Sequence, residues 1–179
     1  GIEESDLIIL IGTNPRFEAT ILNSRIRKSY LNNNVQIISL NNIGDLTYPY
    51  EFLDGKTQTI NEIFGGHHHV SKKIINSKKP LIILGESFLN LNSSHYLFNL
   101  IKNYLIKNEK INDDWNSFNV LNTDASTVGN LDLELINNKN DLIEDLKKNK
   151  FEIVYLLGQD NLDFIKKNEF VIYQGSHGD

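Results

Sequence analysis

A chain of 179 residues, 40% of them apolar, is long enough for one sizeable core or two closely joined halves. Its formal charge of −5 at pH 7 excludes a general nucleic-acid binder, which needs a basic face. The lack of cysteine excludes disulfides, thiol catalysis and iron–sulfur ligation by this stretch.

The first element is the unbroken run Asp6 to Ile11, which predicts a strand buried on both faces. Gly12-Thr13-Asn14-Pro15-Arg16 follows it, and Phe17 to Leu31 reads as a helix. Gly12 suits a turn that a residue with a Cβ resists, Asn14 is a good N-cap, and Pro15 fits the first helical position. Exposed N–H groups there favour an anion, and Arg16 adds a charge beside them. The turn thus reads either as a phosphate or carboxylate site or as a plain connection that binds nothing.

On the helix, Ile21, Leu22, Ile26 and Tyr30 are spaced to share one apolar face. Asn32 to Asn34 ends it, and Val35 to Leu40 is a second strand, completing a βαβ unit. This unit departs from the dinucleotide fingerprint. It has one glycine where the pattern wants three, and the second strand ends in Asn41-Asn42 instead of an acid for the ribose. Ordinary NAD binding is not expected.

Asn41 to Gly55 is a connection carrying Tyr48, Tyr50 and Phe52, expected to pack over a sheet edge or a neighbour. Lys56 to Phe64 is a short helix. His67-His68-His69 follows, before a helix from Val70 to Ser77. Adjacent histidines do not point to one site, and none has a second His at i+4. A solvated turn is expected, with no native metal.

Pro80 to Leu84 is a third strand ending in Gly85, and Tyr96 to Lys107 a helix with Leu97, Leu100, Ile101, Tyr104 and Leu105 as core. Asn112 to Asn130 reads as irregular, anchored by Trp115 and Phe118. Asp141 to Asn149 is a short helix, Phe151 to Leu157 a strand ending in Gly158, and Glu169 to Gln174 a last strand. The glycine turns at Gly12, Gly85 and Gly158 are expected on one rim of a parallel sheet, a rim that suits a phosphate-bearing cofactor. Phosphate or nucleotide sensing at Gly12 is one functional reading. No secretory leader or membrane-spanning run is seen, so a soluble, intracellular chain is expected. A start at Gly1 and the lack of Met predict an excerpt of a longer protein.

Gly12 to Ala19 and Leu22 to Lys28 closely resemble the largest iron–sulfur subunits of respiratory complex I, NADH:quinone oxidoreductase. Asp45 to Tyr48, Lys79-Pro80, Asp114 to Leu121, Leu131 to Leu133 and Ile172 to Asp179 match in the same order. The resemblance implies an α/β fold, three-layer α/β/α with a mostly parallel sheet and Rossmann-like halves, of the formate dehydrogenase/DMSO reductase type. Residues 1–179 would be a fragment of one larger molybdopterin-oxidoreductase-like domain, with 1–79 and 80–179 as candidate halves. In the molybdenum enzymes, loops equivalent to Gly12–Pro15 and Gly158–Asn161 hold a guanine-dinucleotide cofactor. In complex I the domain is taken to have lost it and to act as scaffold.

The resemblance therefore implies no catalytic residue and no cofactor in this segment, with iron–sulfur clusters elsewhere in the parent. Gly12, Asn14, Arg16, Gly158 and Asp160 would be vestigial cofactor-binding positions, with Arg16 and Phe17 crowding the first loop. Partners would be other peripheral-arm subunits, on the cytoplasmic face of the bacterial inner membrane or the mitochondrial matrix side. The alternative in the same family is a guanine-dinucleotide/molybdopterin module of a true molybdenum oxidoreductase.

Overall fold

A strand covered on both faces has no polar side to alternate with, and β1 (Leu7–Ile11) is buried at every position in the computed structural model. The structure describes residues 1–124, 126–135, 139–148, 150–159 and 170–176. β2 (Gln36–Ser39), β3 (Glu51–Phe52), β4 (Pro80–Leu84) and β5 (Phe118–Val120) complete a five-stranded sheet in the order β3-β2-β1-β4-β5. All neighbours run parallel. This is the doubly wound order, and it reverses between β1 and β4, where such sheets open a crevice at the carboxyl ends of their strands.

Alternate residues of each strand serve opposite layers. Leu7, Ile9 and Ile11 join Ile82 and Leu84 against α3 (Thr57–Phe64), α4 (His69–Asn76) and α6 (Ser94–Lys107), through Ile60, Ile63, Val70, Ile74, Leu97 and Ile101. Ile8, Leu10, Leu81 and Ile83 face the other way, towards Ile26, Leu46 and Tyr48. Burying one Leu or Ile contributes about 1.5–3 kcal/mol, so these two clusters hold three layers together.

The expected helix from Phe17 to Leu31 is two helices, α1 (Pro15–Glu18) and α2 (Thr20–Asn33). Ala19 breaks them with φ −152° and ψ 75°, its N–H closing α1 on the Pro15 carbonyl. Of the expected apolar face, Ile26 is buried and Leu22 and Tyr30 pack partly buried against the core. Ile21 is exposed, and Asn23 is buried with Ile26 and Ser29. Asn23 is tolerated because both ends of its amide are satisfied: Nδ2 donates to the Leu46 carbonyl at 3.0 Å, and Oδ1 accepts from the Tyr48 hydroxyl at 2.7 Å. Burial raises the Tyr48 phenol well above its ordinary range. The connection after β2 is thus pinned to α2, and it contains β3, too short to leave a pattern in sequence.

β5 and the first part of α7 (Thr127–Asp132) lie within the stretch expected to be irregular. Trp115 anchors it, its indole Nε1 donating to the Pro80 carbonyl at 2.7 Å. α5 (Glu86–Leu89) follows Gly85 and buries Phe88.

The chain divides into two compact units, Gly1–Ala125 and Ser126–Asp179. A division at residue 79 would cut one sheet, because β4 pairs with β1 from Pro80 to Leu84. The second unit contains α7, α8 (Lys139–Lys147) and a two-stranded parallel sheet of β6 (Ile153–Leu157) and β7 (Phe170–Gln174). Gly158 therefore follows a strand of a different sheet, and the three glycines are not carried by one rim. Among the described residues, no helix is long and apolar enough to cross a membrane.

Candidate functional site

The point where the strand order reverses is flanked by Gly12, after β1, and Gly85, after β4. Both positions are closed by backbone. Gly12 has φ +65°, and a Cβ there would stand 2.5 Å from the Phe88 nitrogen and 2.7 Å from the Phe88 Cβ. A Cβ on Gly85 would run into the Gly12 carbonyl and the Thr13 Cβ. The Gly85 N–H also donates to the Ile11 carbonyl at 2.9 Å, tying the two strand ends together. The glycines let β1, β4 and α5 meet closely at the head of the crevice.

Beyond Gly12, the side chains of Thr13, Asn14 and Arg16 and the backbone N–H groups of Asn14 and Arg16 have partners within the chain. Asn14 caps α1, its Oδ1 accepting from the Arg16 N–H at 3.2 Å. Its Nδ2 donates to the Ile43 carbonyl at 3.0 Å. The Asn14 backbone N–H, a group that could meet an anion, donates instead to Glu18 Oε1 at 3.0 Å. The other oxygen of that carboxylate accepts from the Thr13 hydroxyl at 2.7 Å. Glu18, one turn on, thus places its own anion over the loop.

Arg16 turns away from this carboxylate. Its Nη1 donates to the Asp45 carbonyl at 2.6 Å and to Asp45 Oδ2 at 2.7 Å. The Thr47 N–H, first, and Arg16 hold the Asp45 carboxyl below its ordinary range. The pair is largely in solvent, so it orients the loop more than it stabilises it. Phe17 is 80% exposed and does not crowd the turn. Phe88 and Glu18 lie against the turn's own backbone, while Arg16 pairs with Asp45 and Phe17 is exposed.

Gly12, Asn14 and Arg16 are thus brought together on one turn. Gly158 lies in the second unit, with φ +62° and open space where a Cβ would be. Its N–H donates to the Gln174 carbonyl at 2.8 Å. Asp160 lies outside the described residues. Sequence reasoning missed Glu18, Thr13 and Phe88. A carboxylate four residues after an N-cap was the one local signal available for Glu18; Phe88 had none.

Two of the three adjacent histidines have separate roles. His68 Nδ1 accepts from the Val70 N–H at 3.3 Å and caps α4, while His69 Nε2 lies 3.3 Å from Glu51 Oε1. Glu51 also accepts from Lys73 Nζ at 2.7 Å. Lys73, before burial and His69, governs the Glu51 carboxyl, and the balance holds it below its ordinary range. Among the described residues, no three His, Asp or Glu side chains converge as metal ligands.

The chain is similar to proteins of NADH-ubiquinone oxidoreductase and NADH dehydrogenase. It is 42% identical to the NADH-ubiquinone oxidoreductase 75 kDa subunit of Reclinomonas americana, over 99% of this chain and 26% of that protein. It is 40% identical to the mitochondrial NADH-ubiquinone oxidoreductase 78 kDa subunit of Candida albicans, over 100% of this chain and 24% of the relative. It is 36% identical to the mitochondrial NADH dehydrogenase (ubiquinone) iron-sulfur protein 1 of Solanum tuberosum, over 100% of this chain and 24% of that one. The chain spans about a quarter of the length of these curated relatives. The family model for molybdopterin oxidoreductase matches residues 1–179. With that match and a parallel sheet layered by helices, of the formate dehydrogenase/DMSO reductase-like type, the chain belongs to the molybdopterin oxidoreductase family.

Proposed function

We propose that this chain is a scaffold segment of a complex I iron–sulfur subunit whose parent passes electrons from NADH towards quinone, and that the segment itself performs no chemistry. The observation that carries the reading is the state of the Gly12 turn. A phosphate arriving there meets donors already engaged by Glu18, and meets the charge of that carboxylate. The carboxylate is tethered one helical turn away, so it competes at the high effective concentration of an intramolecular group. The backbone of Phe88 leaves no room beneath. The residues present do not fit the guanine dinucleotide that the family implies, and Gly12, Asn14, Arg16, Gly158 and Asp160 are its vestige.

The names of the relatives support the parent's role: each is a subunit or protein of an NADH-ubiquinone oxidoreductase or NADH dehydrogenase, and one is an iron-sulfur protein. Clusters then sit in other parts of the parent. This segment supports that cluster-bearing part and contacts neighbouring subunits of the peripheral arm, on the mitochondrial matrix side or the cytoplasmic face of a bacterial inner membrane.

The test is metal and nucleotide analysis of the parent isolated in its assembly. Iron and acid-labile sulfide should accompany NADH:quinone activity, with no stoichiometric molybdenum, pterin fluorescence or guanine nucleotide. Stoichiometric pterin or guanine nucleotide would mean that the rim binds, and the molybdenum reading would replace this one.

A further inference from the structure

α2 is a basic element in an acidic chain. Its 14 residues carry Arg25, Arg27 and Lys28 and no carboxylate, although the whole chain has 23 Asp and Glu against 18 Lys and Arg. One side of α2 is buried through Asn23, Ile26 and Ser29. Helical spacing puts Ile21, Lys28 and Leu31 on the opposite side, in a stripe about 15 Å long, with Phe17 of α1 just ahead of it. Phe17, Ile21 and Leu31 are 80%, 76% and 66% exposed.

The nearby cations are not equivalent. Arg16 is held by Asp45, and Arg25 forks onto Glu3 through Nε at 3.0 Å and Nη2 at 2.6 Å. Among the described residues, Arg27 and Lys28 form no close ion pair. They act on Asp45 and Glu3 only as more distant charges, behind Arg16 and Arg25.

We infer that this face docks a neighbouring subunit whose contact surface is apolar at its centre and acidic at its edge. The inference rests on the scaffold reading above, in which the segment meets other subunits. Exposed Phe17, Ile21 and Leu31 supply anchors of the kind that carry binding energy once water is excluded. Arg27 and Lys28 supply the rim that selects and steers an acidic partner. Two unpaired cations fall short of the roughly four to eight that mark a surface for anionic lipid. A face covered while its own chain folds has no need of unpaired cations. One that stays in water until assembly uses them for solubility and encounter, which favours a second polypeptide over another segment of the same one.

The experiment labels amines in the assembled complex and in the free parent subunit, and cross-links amines to carboxylates with a zero-length carbodiimide. Lys28 should be about tenfold less reactive in the assembly and should join an Asp or Glu of another subunit. Lys28→Glu should leave the free subunit's melting temperature unchanged and lower its retention in the assembly about tenfold, with Lys28→Arg restoring it. Equal labelling in both states, bonds only within the same polypeptide, or protection lost on removing lipid would each overturn the inference. Co-migration of the wild-type parent with NADH dehydrogenase activity on a native gel reads the scaffold proposal separately. Co-migration with unprotected Lys28 sinks the docking face alone; no co-migration sinks both.

Discussion

Replacing Gly12 by alanine tests the closed turn directly, and Gly44 provides its control. Both glycines have left-handed backbone, at φ +65° and +72°. Forcing an L-residue into that region costs about 1–2 kcal/mol, a term common to both. The surroundings differ. A Cβ at Gly44 meets nothing within 4 Å, whereas at Gly12 it meets the Phe88 nitrogen at 2.5 Å, Cβ at 2.7 Å and Cα at 3.0 Å. Two of those atoms are backbone and cannot swing aside, so α5 must shift, at a further cost of about 1–3 kcal/mol. The unfolded chain gains stiffness equally in both variants, and that term cancels. Gly12→Ala should therefore cost about 2–5 kcal/mol and Gly44→Ala about 1–2 kcal/mol. Urea unfolding followed through Trp115, the single tryptophan, reads this unit selectively because its indole is tied to Pro80. Equal losses in the two variants, at equal urea dependence, would mean that the Gly12–Phe88 contact yields freely and that the crevice is not closed by backbone.

Two further perturbations probe the carboxylates that tie strand ends to loops. Glu18→Gln keeps the side-chain shape but removes the charge, so the Asn14 N–H keeps only a neutral acceptor and the Thr13 hydroxyl must accept from the new amide instead of donating; the urea midpoint should fall by the equivalent of about 0.5–1.5 kcal/mol. An unchanged midpoint would remove Glu18 from the account of the turn. At the other end of β1, burial raises the Asp6 carboxyl, but the Ser77 hydroxyl and the N–H groups of Lys78 and Lys79 outweigh it and hold the group below its ordinary 3.8. A depressed carboxyl stabilises fully above the unfolded-state value and loses that contribution as pH falls through the lower folded one. Below about pH 4 the wild type should therefore lose urea midpoint faster than Asp6→Asn. Parallel pH curves would show that Asp6 does not bridge β1 and β4.

The parts of the fold legible in sequence are those whose chemistry repeats. Leu7–Ile11 and Pro80–Leu84 announce strands covered on both faces because they contain no polar residue. Leu97, Ile101 and Leu105 recur at helical spacing and are buried together. β3 and β5, with two and three residues, are too short to carry a period. One position of the α2 face, Ile21, misled for another reason, while Leu22, Ile26 and Tyr30 do turn to the core. Apolarity at Ile21 suggested burial, but five residues before Ile26 it lies well round the helix from it, and the side that turns inward carries Asn23, bonded to Leu46 and Tyr48. At the site, the cap by Asn14 and the fit of Pro15 could be read locally. The closure by Phe88 could not, since it depends on how β1 and β4 lie side by side.

That distinction bears on how a glycine turn at a strand end is to be understood. Gly12 and Gly85 would be required in a working phosphate loop, so that backbone could approach the ligand. They are equally required here, because a Cβ on either would strike Phe88 or the Gly12 carbonyl. The same two residues answer to both demands, and their presence cannot separate a binding loop from a structural one. What separates them is where the donors point. In a working loop the N–H groups face the ligand; in this chain the Asn14 N–H and the Thr13 hydroxyl face Glu18, and Arg16 faces Asp45. A carboxylate of the chain thus engages the Asn14 N–H and the Thr13 hydroxyl from within. On the scaffold reading proposed above, these internal partners let the fold keep its stability, and the glycines with it, without a cofactor.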